Sequence, residues 1–214
     1  MGTSISDEDI ERLVDSVQSN VTKMFSAPDG WPGNVELALI DAVLSIRAVY
    51  GTSADTGVRG AIKRYKRDSG RNGWDNLSAL GGAEPAWLQE VLANRQKTGR
   101  VTKAEAIISA AARLSDIGAV HASDIDRNSA EQRRAYCGTR GLGPVTWDYF
   151  LMLVGYDGVK PDTLVTRFAS EALGRKVSDK DVTRVVTEAA GRLDMPAAAL
   201  DHSIWRHVSR PRKD

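Results

Sequence analysis

The residues best placed to do chemistry lie in one stretch of the second half of the chain. Gly141-Leu142-Gly143-Pro144-Val145-Thr146-Trp147 sets two glycines around one apolar residue, with a proline directly behind them. Glycine permits positive φ and close approach of a ligand to the backbone, and a proline at the first helical position presets the turn and leaves neighbouring N–H groups free. A helix N-terminus of this kind is suited to a phosphate group; the same seven residues also read as a tight connection between packed helices, with Leu142 as a core plug. Further along, Asp162 follows Pro161 and opens another apolar segment. An aspartate there can cap a helix by accepting the N–H groups near Leu164 or Val165, and those bonds would hold the carboxylate ionised and aimed. His202 and His207 fall on successive helical turns, but two histidines without a third ligand do not make a zinc site, so no catalytic metal is expected. The single cysteine, Cys137, excludes an intramolecular disulfide or a four-cysteine iron–sulfur cluster and reads as a small buried hydrophobe.

The elements that must position these groups are helical. Ser6 heads an amphipathic segment with acidic residues in its first turn and Ile10, Leu13, Val14, Val17, Val21 and Met24 at helical spacing. After the break marked by Pro28, Gly30, Pro32 and Gly33, the residues Leu37, Ile40, Val43, Leu44 and Ile46 predict a helix buried on most sides. Pro85 precedes a third helix, Thr102 with Glu105 forms a capping box for a fourth, and Ser129, Pro144, Ser178 and Pro196 mark later starts. Gly155, Gly174 and Gly191 stand where helices could stop. Nothing alternates with the period of a strand, so the fold class is all-α.

A chain of 214 residues with 42% hydrophobic content can bury one large core or two smaller ones. Asp7, Glu8 and Asp9 occupy the place where a secretory leader would need a basic start, and no apolar run is long enough for a bilayer, so a cytoplasmic protein is expected. The net charge of +1 gives no global attraction to a polyanion. Local patches do exist. Arg59, Lys63, Arg64, Lys66, Arg67 and Arg71 face only Asp68, and Arg206, Arg210, Arg212 and Lys213 close the chain; each reads either as a solvated surface or as a phosphate-binding one.

In its order of motifs the chain resembles the helix-hairpin-helix DNA glycosylases. The hairpin runs into Gly155-Tyr156-Asp157-Gly158-Val159-Lys160-Pro161-Asp162-Thr163, which is similar to the family's Gly/Pro-rich loop and the helix headed by its catalytic aspartate. Upstream, Leu44-Ser45-Ile46-Arg47 is similar to its Leu-Ser-x-Gln segment, and Lys103-Ala104-Glu105-Ala106-Ile107 to its Lys-Ala-x-x-Ile helix. The segment His202-Ser203-Ile204-Trp205 resembles the last helix of the alkylation-repair (3-methyladenine) branch. Residues 35–170 carry the similarity.

The resemblance implies two helical lobes with an interlobe cleft: residues 33–157 as a helical barrel ending in the hairpin, and residues 1–32 plus 158–214 as the second lobe with Asp162. It implies Asp162 as catalytic carboxylate, and Gly141, Leu142, Gly143, Val145 and Thr146 as phosphate-binding residues. Trp205, Arg47, Tyr50 and Trp31 would line the base pocket or fill the DNA gap, with Trp74 a weaker candidate. Double-stranded DNA is the implied partner of a monomer without membrane attachment, associated with the nucleoid. No cofactor is implied beyond a monovalent cation at the hairpin. Val145 stands where bifunctional members carry a Schiff-base lysine, which implies hydrolysis without strand cleavage, with Lys160 as a solvated loop residue. Arg47 replaces the usual glutamine. The expected activity is excision of an alkylated base by base flipping, the alternatives being hypermodified phage bases, in an anti-phage role, and a non-catalytic DNA-binding protein.

Overall fold

The computed structural model describes residues 5–27, 29–48 and 55–209. In chain order its elements are α1 (Asp7–Asn20), α2 (Val35–Leu44), α3 (Gly57–Asp68), α4 (Leu77–Gly81), α5 (Pro85–Leu92), β1 (Lys97–Thr98), β2 (Val101–Thr102) and α6 (Lys103–Ser115). There follow α7 (Ala130–Cys137), α8 (Pro144–Val154), α9 (Thr163–Leu173), α10 (Asp179–Arg192) and α11 (Ala197–Val208). The architecture is all-α, as the periodicity predicts. The chain forms two compact units, a central one from Asp29 to Tyr156 and a terminal one made of residues 1–28 and 157–214. No helix among the described residues is long and apolar enough to cross a membrane.

In the central unit, α2 is the axis. All ten of its residues are buried, and it packs against α3, α6 and α8. Its burial takes in a carboxylate. Glu36 is inaccessible to solvent and accepts hydrogen bonds from Tyr65 Oη at 2.5 Å, from both terminal nitrogens of Arg71 at 2.7 Å, and from the Asn76 amide at 3.0 Å. Burial pushes its carboxyl group up, while Tyr65, Arg71 and the Asn76 amide oppose that shift. Arg71, one of the patch cations, is thereby directed inward. The rest of that patch is engaged too: Lys63 pairs with Asp55, Arg64 donates to the Leu92 carbonyl, Arg67 forks onto Asp68, and Lys66 lies over the rings of Trp31 and Trp74.

The terminal unit packs α1, α9, α10 and α11 around Leu13, Val17, Val182, Val185, Val186 and Leu200. Ser6 caps α1 with a full capping box to Asp9, and Asp9 also pairs with Arg175 at 2.7 Å.

Several sequence expectations are corrected. Strand structure does occur, as the two-residue pair β1–β2, closed by Gly99 and Arg100 at φ +52° and +75°; it is too short to show any alternation. Helix α1 ends at Asn20, so Met24 lies beyond it and is exposed, and α2 ends at Leu44, leaving Ile46 in the following turn. Gly191 does not stop a helix: α10 continues to Arg192, and the left-handed residue after it is Asp194. Cys137 is half-buried at the end of α7.

Removing Arg71 leaves a buried carboxylate without its bidentate partner, which costs ~3–5 kcal/mol. The Arg71→Ala variant is expected to show that loss in urea denaturation, whereas Lys63→Ala, on an exposed pair, hardly moves the midpoint.

Candidate functional site

The hairpin between α7 and α8 is set by aromatic packing. Tyr136, Trp147 and Phe150 form one buried cluster with ring centroids 5.3–5.7 Å apart, worth more than its area alone because the rings meet in tilted and offset geometries. This places the turn from Gly138 to Gly143 at one end of the helix pair. Leu142 is half-buried and packs against the core, in part the plug that the tight-connection reading called for.

The two glycines differ in role. Gly141 has φ +87°, and a Cβ there would sit 2.6 Å from the Thr98 carbonyl oxygen. Gly143 is extended, at φ −161°, with open space where a Cβ would be. Among the described residues, the N–H groups of Gly141, Gly143 and Val145 have no hydrogen-bond partner, the disposition a phosphate oxygen would need. Three carbonyl oxygens of the turn accept hydrogen bonds: Thr139 O from Leu142 N, Gly141 O from Thr98 Oγ1, and Gly143 O from Thr146 N and Trp147 N. No step below is routed through a monovalent cation at the hairpin.

The β1–β2 turn braces the hairpin from its other side, with Gly99 packed so closely on Gly141 that a Cβ on Gly99 would lie 2.5 Å from the Gly141 Cα. The same strands lead into α6, whose first residue, Lys103, is buried. Its ammonium donates to Leu44 O at 2.8 Å, Ile46 O at 2.7 Å and Gln96 Oε1 at 2.7 Å, so all three of its hydrogens are used. Burial pushes it down to about 8, which leaves it mainly charged at neutral pH. Lys103 thus satisfies the end of α2 and fixes the turn that presents Arg47. Arg47 is exposed and adopts φ +50°, a left-handed conformation that few non-glycine residues take. Trp31 is half-buried, its indole N–H donating to Asp41 Oδ2 at 2.9 Å with Lys66 over its ring, so it is a cornerpost near the start of α2. Tyr50 lies outside the described residues.

In the terminal unit, Asp162 is the N-cap of α9. Its Oδ1 accepts from Leu164 N at 2.9 Å and Val165 N at 3.0 Å, so Oδ2 takes neither amide. Two aspartates fasten the loop before it. Asp157 accepts from the amides of Ala197 and Ala198 and so caps α11 from a distance in sequence, while Asp201 on α11 accepts from Lys160 N at 3.2 Å. Lys160 is half-buried, and its charge acts on Asp201. Trp205 stands one turn beyond Asp201, half-buried, with His202 stacked on it at 6.2 Å. His207 faces Phe168 instead, so the two histidines are not a pair.

Sequence reading missed Asp157, Asp201 and Phe25, whose N–H donates to Ser203 Oγ and whose ring carries Lys23, Arg206 and the edge of His202. Each of these contacts joins residues at least 40 positions apart, except that of Lys23, which is a neighbour in sequence. The one sequence signal available was Asp201 itself, an acidic residue among apolar neighbours in Ala-Leu-Asp-His-Ser-Ile-Trp.

With this geometry in view, the chain is an all-α protein whose fold is shared with two solved structures. One is MBOgg1 in complex with a low affinity DNA ligand, 12% identical, TM-score 0.56, with 94% of this chain and 68% of that one covered. The other is the Methanocaldococcus jannaschii 8-oxoguanine glycosylase/lyase in complex with a 15mer DNA containing 8-oxoguanine, 17% identical, TM-score 0.51, with 94% and 90% covered. A family model described as a domain of unknown function (DUF8548) matches residues 8–209, and the chain belongs to that family. No curated protein matches it.

The contrast between the glycines is measurable. Gly141→Ala is expected to destabilise the protein by ~1–3 kcal/mol, from positive φ and the Thr98 contact together. Gly143→Ala stays within about 0.5 kcal/mol of the parent. Equal losses in thermal unfolding would contradict the assignment.

Proposed function

We propose that this protein is a DNA glycosylase that excises a base by hydrolysis. The observation that carries this reading is Asp162: a carboxylate oriented by two backbone amides at the head of α9, with Trp205 on α11 in the same unit. The unpaired amides at the head of α8, and a fold shared with proteins named for their DNA complexes, support duplex DNA as the partner.

In the proposed reaction the bond from C1′ of the deoxyribose to the base nitrogen breaks, and its electron pair leaves with the base. Positive charge develops over C1′ and the ring oxygen, where a fixed carboxylate stabilises it. Water adds to C1′ and gives its proton to Asp162, from which it passes to the departed base or to solvent. The products are an abasic site and a free base. The amides on Oδ1 hold the anion in place, so little reorganisation is needed as charge develops.

The enzyme is monofunctional in this reading. Valine at position 145 offers no amine for an imine, and the charge of the half-buried Lys160 is directed to Asp201. The substrate we propose is an N-alkylated purine, because a cationic ring gains from stacking on the Trp205 face. Gly143 and its neighbours serve the DNA backbone, so Gly143→Val weakens binding to damaged and undamaged duplex alike.

Single-turnover base release from alkylated duplex tests the assignment. Asp162→Asn is expected to lose a factor of at least about 100 in rate with DNA affinity preserved; a rate within twofold of the parent refutes the role. Borohydride added during turnover is expected to trap no protein–DNA adduct, and an adduct that disappears in Lys160→Ala overturns the monofunctional reading.

A further inference from the structure

Asp201 is acidic, lies on the apolar face of a helix, and plays no part in the reaction as derived above. The residue is 6% exposed. Among the described residues its carboxyl group accepts one hydrogen bond, the 3.2 Å contact from Lys160 N, two residues before Asp162, while Asp162 N donates back to Lys160 O at 2.7 Å. The loop is therefore folded tightly on itself between two carboxyl groups. Asp157 pins its other end to the first turn of the helix that bears Asp201.

We propose that Asp201 is a positioning residue for Asp162, holding the 157–162 loop by accepting the Lys160 amide from a site closed to solvent. The inference rests on the glycosylase reading for its consequence in catalysis, but not for the hold on the loop itself. A carboxyl group sealed among apolar side chains, with the charge of a second carboxylate acting on it, keeps its proton.

The groups facing Asp201 agree with a retained proton. Burial and the charge of Asp162 push its carboxyl group up to about 8, against the opposing pull of the Lys160 amide and ammonium. α10, which packs against α11, contributes the buried residues Val182, Val185, Val186, Ala189 and Ala190. The segment before Pro28 brings Lys23 to Phe25, where Arg206 and His202 also meet that ring. Asp201 and Asp162 therefore form an unequal pair, in which the buried member, Asp201, keeps its proton at neutral pH. When Asp201 ionises, a second charge is confined in a dry site beside the first, and the loop must loosen to admit water.

The sign for stability follows. The folded chain binds the Asp201 proton more tightly than the unfolded chain, whose carboxyl group titrates at about 4. Stability from this group is complete below that point and is lost as pH rises from there to about 8. Asp201→Asn removes this dependence while keeping an oxygen to accept the Lys160 amide.

The test uses the full-length protein. In wild type carrying 13C-labelled aspartate carboxyls, one signal is expected to titrate near 8, to be missing in Asp201→Asn, and to move to lower pH in Asp162→Asn, where the neighbouring charge is gone. A titration of Asp201 in the ordinary carboxylate range, or one that does not respond to Asp162→Asn, overturns the pairing. These outcomes need no catalysis, so they stand even where base release fails and the glycosylase reading falls with it. In base release, wild type is expected to fall about tenfold between pH 7 and 9, following a group that titrates at about 8, and Asp201→Asn to lose that fall. Superimposable rate profiles for the two proteins refute the positioning role.

Discussion

The central unit is organised by one buried ammonium. A lysine taken out of water has to find an acceptor for each of its three hydrogens, and Lys103 finds them in two separate segments, at Leu44 and Ile46 and at Gln96. That requirement ends α2 where it ends, fixes the turn carrying Arg47, and ties Gln96 at the base of the β1–β2 hairpin to the head of α6. The hairpin in turn leans on Gly141. Packing between apolar faces could slide by a fraction of an ångström without much loss; a charge with three directed bonds cannot. Arg47 and the glycine turn, two features that the proposed function sets against DNA, are thereby tied through one set of contacts, although 90-odd residues separate them in sequence.

What was legible in the sequence was local. Ser6, Thr102, Ser129, Ser178 and Asp162 cap the helices they were expected to cap, because a cap is decided within three residues of itself. The continuous apolar run of α2 announced burial. Asp157 is the instructive contrast: it also caps a helix, but one that starts 40 residues later, and no periodicity carries that information. The same holds for Glu36 with Arg71. Read along the chain, Arg71 belongs to a basic cluster; in space it completes a buried acid. Charge runs mislead in this way whenever a fold has already enlisted some of their members.

The candidate site shows the same division. Asp162 could be singled out because a hairpin motif precedes it and a helix follows it. Asp201 could not, since the meaning of a buried carboxyl group depends on what surrounds it, and the helices that pack on its own, α9 and α10, are separate elements earlier in the chain. The residue that does the aiming is thus readable, while the one that sets its surroundings is not.

Arg47 shows what such a frame permits. An arginine in the left-handed region gives up about 1 kcal/mol that glycine would keep. Selection for folding alone would favour the smaller residue at that turn. Keeping a cation there exchanges thermodynamic margin for an exposed charge. The turn is thus a place where the chain sits off its own stability optimum, and substitutions chosen to raise its melting temperature would converge on the position that holds that charge.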